Sequence, residues 1–370
     1  MQRNINEIPL TEEEKRKLLE VGVDVTEKDR AGTYMLVDNQ IVEVKLLQKG
    51  VELLPLSMAF EKYEWLKDYY WKLVNKNKDE YTRKVFNSPP MGYLIRSLPG
   101  AHSKVPVQAC FYLKSSNFEQ IVHNIIIAEE DSELHIINGC IAANYTNQGS
   151  HIAVTEMYVK KNASITYTMI HDWAPEVIVR PRTGVLVGER GNFISNYVSL
   201  KEVHSTQSAP IVYAVGREAK VKLYSILYAP EKTNLDIGGD IYLQGEGSSG
   251  EIVSRAVSNG GNIYTRGALI GEAKNIKAHM ECSGIMLKDE GFIHTIPELK
   301  TKFQEVEMTH EAAVGKIAKD EIEYLMARGI SEEDAISLIL RGFLNVKIEG
   351  LPELLQRSID IAVETSMRGM

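Results

Sequence analysis

Between about Val105 and Lys302 the sequence returns to one short pattern every 27–31 residues or so until a shorter last step, which constrains the fold more than any other feature. An apolar residue, a polar or glycine turn and a new strand-like run recur at Val159-Lys-Lys-Asn-Ala-Ser-Ile, Val187-Gly-Glu-Arg-Gly-Asn-Phe and Val215-Gly-Arg-Glu-Ala-Lys-Val. Later copies begin at Leu243, Ile270 and Leu287, and a weaker one at Ala128. Within a copy, Ile165, Tyr167 and Met169 alternate with Ser164, Thr166 and Thr168, the period of a half-buried strand. A unit this short cannot bury its own apolar face, so it must stack on the next one. Strand-only units stack as a parallel β-helix. A β-propeller is the rival, but its blades need about 40 residues.

The flanks read differently. From Thr11 to about Asn75 the chain is charged, aromatic and largely helical in period. Thr11 precedes Glu12, Glu13 and Glu14, a cap followed by acids that suit the positive end of a helix. Tyr63, Leu66, Tyr70 and Leu73–Val74 space out a second amphipathic helix, and Asn87-Ser88-Pro89-Pro90 breaks it off. Beyond Thr309 the helical period returns: a helix over Glu311 to Met326 ending at Gly329, one capped by Ser331, and a last one opened by Pro352 with Ile359 and Val363 on one side. The expected fold is therefore mainly β, with an N-terminal helical region over 1–100, a β-helix core over 101–305 and a C-terminal helical domain over 306–370.

Charge and motif content narrow the function. A binder whose affinity came from neutralising phosphates would carry a basic surface, so a net charge of −8 makes nucleic acid a poor partner. No apolar run reaches the length of a membrane span, and the first residues lack the layout of a signal peptide, so the expected location is the cytoplasm. No phosphate-binding P-loop, nucleophile elbow or H-E-x-x-H motif occurs; His310-Glu311 begins like the last, but Val314 stands where its second histidine belongs. The three cysteines, Cys110, Cys140 and Cys282, form no C-x-x-C pair. A chain of this size without a recognisable catalytic motif reads as a platform, not an enzyme.

The tail carries a more specific signal. His279-Met-Glu-Cys-Ser-Gly-Ile-Met-Leu is followed by His294-Thr-Ile-Pro297, then Thr309-His-Glu-Ala-Ala-Val-Gly-Lys-Ile and Gly329-Ile-Ser-Glu-Glu-Asp-Ala-Ile-Ser-Leu-Ile. This order resembles the C-terminal signature of the SufB/SufD family, whose members assemble iron–sulfur clusters: a cysteine segment, an H-T-x-P turn, an H-E-A helix start and a G-I-S-E-E-D-A-I-S helix. Weaker similarity runs back to about Phe118. The resemblance implies a right-handed parallel β-helix and a SufC-type ABC ATPase as partner. It also implies a transient cluster, [4Fe–4S] favoured over [2Fe–2S], built at the joint with a second copy or a SufD-like paralogue.

The same resemblance implies the ligands. Cys282 matches the family cysteine at the joint, and thiolate is the soft donor such clusters prefer. His310 and Glu311 match the family H-E pair, whose replaceable donors suit a cluster that must later be released. The preceding family glutamate is Thr309 here, and Glu307 is two residues away from that position. His294 reads as a turn residue, and alternation puts His279 on the strand face opposite Cys282. The ATPase is expected on the helix bearing Ser331, Glu332, Glu333, Asp334, Ala335, Ile336, Leu338, Ile339 and Phe343, which is apolar on more than one side. One departure stands out: around Arg180 to Val187, where the family carries a sulfur-accepting cysteine, this chain has none. Sulfur then reaches Cys282 directly, or Cys140 substitutes, or the role is SufD-like.

Overall fold

The computed structural model describes residues 10–143, 145–146, 148–345 and 353–367, so Pro352 lies outside the described residues. The chain begins with helix α1 (Glu12–Glu20) and strands β1 (Gly32–Val37), β2 (Gln40–Leu46) and β3 (Val51–Pro55), then helices α2 (Leu56–Lys62) and α3 (Glu80–Asn87). The strands β4 (Tyr93–Ser97), β5 (Val107–Leu113), β6 (Phe118–Ala128), β7 (Glu133–Ala142), β8 (Gly149–Val159), β9 (Ser164–Asp172), β10 (Val177–Val187) and β11 (Asn192–Ser199) follow. The series continues with β12 (Ser205–Ser208), β13 (Ile211–Ala214), β14 (Lys220–Pro230), β15 (Asn234–Leu243), β16 (Ser249–Asn259), β17 (Asn262–Gly271), β18 (Ile276–Met286), β19 (Phe292–Thr301) and β20 (Val306–Gly315). Helices α4 (Lys319–Met326), α5 (Glu332–Leu344) and α6 (Glu353–Met367) close it.

From β4 onward the chain passes back and forth between two sheets, with β12 and β13 sharing one level, and each level pairs in parallel with the next in its sheet, so the backbone winds as a β-solenoid of about eight turns. One sheet runs β2-β1-β5-β7-β9-β11-β14-β16-β18-β20. The other runs from β3 and β4 through β6, β8, β10, β12, β15 and β17 to β19. Inward side chains such as Ile136, Tyr167, Phe193, Leu223 and Ile252 fill the lumen with one continuous core. The expected stacking is what the repeat encodes. At one corner Asp131, Asn162, Arg190, Glu218, Gly247 and Asn275, 28–31 residues apart, each take a positive φ. Each passes its N–H to a carbonyl of the next turn, so the corners form their own ladder. Beside them Gly188, Gly216 and Gly245 lie one above another, where a Cβ on Gly216 would fall on the backbone of Gly188. The Leu287 copy belongs to the opposite corner, because the turn after β18 shares its apolar–polar–glycine texture.

The outer faces are covered unequally. Helices α1, α5 and α6 lie along the first sheet, burying Leu18, Val21, Leu340, Leu344, Ile359 and Val363 against Cys110, Tyr112, Ile170 and Val253. The Thr11 cap is as expected, and the Glu14 carboxylate in turn accepts a hydrogen bond from the Thr11 amide. Residues 56–86 cover the first strands of the other sheet. There the expected single helix over Tyr63 to Val74 is instead a 3-10 turn (Glu64–Asp68) and an irregular run. The buried Glu156 carboxylate takes the amides of Trp71, Lys72, Leu73 and Val74 at 2.5–3.3 Å, a better home for those N–H groups than a helix ladder there. His123 adds a fifth contact to it at 2.9 Å.

The two ends of the solenoid also differ. At the start, β1 and β4 are covered by the antiparallel strands β2 and β3. At the finish, β19 and β20 are the last strands of their sheets, and no described strand pairs beyond them. The expected helix from Glu311 is wrong over its first half. Residues through Gly315 continue β20, and α4 starts only at Lys319. A strand-length run of Val306, Met308, His310 and Ala312 alternates inward, and that register outweighed the three- and four-residue apolar spacing.

Candidate functional site

Strand β18 places Cys282 by simple alternation: Ala278, Met280, Cys282 and Gly284 point into the lumen, while Lys277, His279, Glu281 and Ser283 point out. Cys282 is 3% exposed and lies in register between Ser254 of β16 and Ala312 of β20, one turn below the open end. Burial pushes its thiol pKa up, and a hydrogen bond with the Thr265 hydroxyl opposes that rise. Its surroundings are not purely apolar. It lines an internal cavity of about 30 Å³, room for roughly one water, with Ser225, Ser254 and Thr265. Ser225 bonds Ser254 at 2.9 Å, and Thr265 bonds Thr295 of β19 at 3.1 Å. Ser225, Ser254 and Cys282 occupy equivalent positions of successive turns.

The other sequence candidates separate by face. His310 lies on the inner face of β20, in register with Met280, and so sits diagonally next to Cys282 at the exposed rim. Glu311 is on the outer face, in register with Glu281. The structure thus brings Cys282 and His310 to one side and leaves Glu311 on the other. His279 is outward as expected, bonding Thr309 at 2.8 Å, and Glu307 pairs with Lys277 at 3.3 Å. His294 is not a turn residue: it sits inside β19 with its ring 5.6 Å from Tyr264, and Pro297 is tolerated because β19 is an edge. Among the described residues, no group of three or more His, Cys, Asp or Glu side chains could hold a metal ion. The segment from Arg180 to Val187 is an interior strand, and Cys110 and Cys140 are fully buried with their thiol pKa values pushed up.

Behind Cys282, the outer face of β18 is wired to the C-terminal helices. Glu281 makes a 2.6 Å ion pair with Arg255 of β16, which holds its carboxyl below the usual range. The same guanidinium lies 5.8 Å over the Phe343 ring of α5. On α5, Ser331 caps the helix through the Asp334 amide; Ala335 and Leu340 are buried, and Ile336 and Phe343 pack beside them. Glu332, Glu333 and Asp334 are exposed, Ile339 is half-buried and Leu338 is 44% exposed; Tyr324 and Met326 of α4 are exposed as well. No described helix is long and apolar enough to cross a membrane.

These features define a parallel β-solenoid with helical ends, closed by antiparallel strands at its start and carrying a thiol one turn inside its open finish. The family model described as "SUF system FeS cluster assembly, SufBD core domain" matches residues 111–343. An iron–sulfur cluster assembly SufBD family protein of Archaeoglobus fulgidus is 45% identical over 96% of this chain and 96% of its own length. A homologue of the same family name from Methanothermobacter thermautotrophicus (strain Winter) is 44% identical over 98% of this chain and 91% of its own. One from Staphylococcus aureus is 30% identical over 95% and 77%. The chain belongs to the SufBD family of iron–sulfur cluster assembly proteins, in agreement with the resemblance of its tail motifs.

Proposed function

We propose that this chain is a non-catalytic scaffold that builds a nascent iron–sulfur cluster where the open ends of two solenoids meet, together with a SufC-type ABC ATPase docked on α5. The observation that carries the reading is a solenoid end where no described strand pairs beyond β19 and β20, with a thiol held one turn inside it. An unpaired strand edge is a template for another strand. Edge-to-edge pairing of β19 and β20 with their counterparts in a second copy, or in a SufD-like paralogue, extends both sheets across the joint. A two-fold joint presents Cys282 and His310 twice, a soft thiolate and a replaceable imidazole from each side. Glu311 starts on the outer face of the same edge strand, so its service as a ligand depends on rearrangement of β20 at the joint. Leu338, with Tyr324 and Met326, gives the ATPase an apolar anchor beside the acidic first turn of α5.

Anaerobic incubation with iron and sulfide, read by visible absorbance, tests this. Wild type gains the colour of a cluster and Cys282→Ser does not; equal loading of the two removes the ligand assignment. One observation favours a second reading, a SufD-like partner that recruits the ATPase without ligating a cluster: Cys282 is nearly inaccessible and its burial disfavours the thiolate. That reading expects wild type to stay colourless.

A further inference from the structure

We infer that the sulfur this chain takes up is inorganic sulfide. The reaction that supplies it is then one that releases hydrogen sulfide into solution, by reduction of a more oxidised sulfur compound or by elimination from an organic thiol. It is not a transfer of sulfane sulfur from a protein persulfide. The inference rests on the proposed assembly of a cluster at Cys282 and concerns the source of that cluster's sulfur. A persulfide is passed on only when an acceptor thiol attacks it, so the two sulfurs must touch. The chain has three cysteines, and the fold leaves none within reach of a donor protein: Cys110, Cys140 and Cys282 are 0%, 1% and 3% exposed. Cys110 lies on the outer face of β5, inside the cluster formed with Leu18 and Val21. Cys140 faces the lumen, in register between Phe111 of β5 and His171 of β9. Cys282 faces it too, with β20 between its strand and the open end.

Nor can one thiol relay sulfur to another. From β7 to β18 the first sheet steps through β9, β11, β14 and β16, which at about 4.8 Å a step sets Cys140 and Cys282 about 24 Å apart. A persulfide reaches only about 2 Å beyond the thiol that carries it. Along the row that ends at Cys282 stand Ser254, Ser225, Tyr197 and Met169, none of which carries a thiol. The same separation stops two thiols of this chain from supplying electrons as a disulfide, since that bond needs Cα atoms within about 7 Å. Sulfane sulfur requires two electrons before it becomes the sulfide of a cluster. Inorganic sulfide requires none. When hydrosulfide meets iron, an Fe–S bond forms with the sulfur's electron pair and the proton leaves to water; no S–S bond forms or breaks. Size points the same way. Hydrosulfide is a single heavy atom, and the cavity of about 30 Å³ beside Cys282 takes a molecule of that order. A parting of the joint that admits an iron ion admits hydrosulfide as well, whereas a donor protein must bring a whole cysteine and its loop into the lumen.

The test uses the full chain under anaerobic conditions, with a persulfide-loaded rhodanese as the protein donor and no thiol reductant, which would release sulfide from it. The first arm holds no metal. Native protein is incubated with the donor and weighed intact by mass spectrometry. Wild type should gain no sulfur, whereas Lys220→Cys, which places a thiol at an exposed position, should gain one sulfur and so shows the donor to be competent. Sulfur taken up by native wild type, and lost in Cys140→Ser or Cys282→Ser, overturns the inference. The second arm supplies ferrous iron and sulfide, with and without the donor, and follows the visible absorbance. Cluster should form from sulfide alone, at the same rate and to the same extent when the donor is present. A cluster that forms only with the donor overturns the inference. No cluster under either condition overturns instead the assembly at Cys282 on which the inference rests.

Discussion

Replacing Arg255 by methionine probes the link between the C-terminal helices and the strand that carries Cys282. Methionine keeps an unbranched apolar stem like that of arginine but ends short of the guanidinium, so the change removes the charged head while retaining most of the stem packing. Two interactions disappear. The ion pair with Glu281 is close at 2.6 Å, and both side chains are largely shielded, but the contacting guanidinium nitrogen makes no well-aligned hydrogen bond. That puts its worth near 1 kcal/mol, the upper end for partly exposed pairs. The contact with the Phe343 ring at 5.8 Å adds about 0.5–1 kcal/mol. The expected loss is about 1–2 kcal/mol at neutral pH, read from denaturant unfolding. It should be concentrated in α5, whose amides should exchange about five-fold faster or more. The pH dependence has a definite sign. Arg255 holds the Glu281 carboxyl below its unfolded value. The pair's stabilisation is therefore present above the ordinary carboxylate range and fades as pH falls through the lowered value, so wild type and variant should converge in acid. A loss below about 0.5 kcal/mol, or unchanged exchange in α5, would show that helix and strand are not coupled through this residue.

Three further outcomes follow from the same geometry. Glu156→Ala leaves four amides and His123 without their carboxylate and should cost about 3–5 kcal/mol, with fast exchange confined to residues 71–74; a mild effect would mean that water replaces the carboxylate. Gly216→Ala drives a methyl into the backbone of the neighbouring turn and should destabilise by about 1–3 kcal/mol or more in thermal unfolding, whereas Gly100→Ala has open space beside it and should lose only what its positive φ demands. Cys282→Ser puts a hydroxyl into a cavity already lined by Ser225, Ser254 and Thr265 and should cost only about 1–2 kcal/mol, so that any loss of cluster in that variant reports ligation; a collapse of the fold would contradict the polar surroundings described for this sulfur.

The solenoid was legible because its period is long-range and redundant: each corner repeats a turn with a positive φ, and each strand alternates. What misled was local. The run after Thr309 carries both an inward alternation and apolar residues at helical spacing, and only the presence of β18 as a neighbour selects the strand. Tyr63 to Val74 has helical spacing too, but Glu156, more than eighty residues away, offers its amides a stronger acceptor. The same strand assignment explains why Glu311 and His310, adjacent in sequence, fall on opposite faces. The hydroxyls around Cys282 were readable in principle, since Ser225, Ser254 and Cys282 recur at the repeat spacing. Thr265 and Thr295 were not, because pairing across the lumen depends on how far the two sheets are offset.

Native mass spectrometry of anaerobically reconstituted protein counts chains and clusters together and so shows whether a cluster sits at a joint between two solenoids. The expected result is a dimer holding its cluster mass between two chains, with that mass absent in Cys282→Ser. A cluster carried by single chains, or retained in the dimer without Cys282, would contradict it.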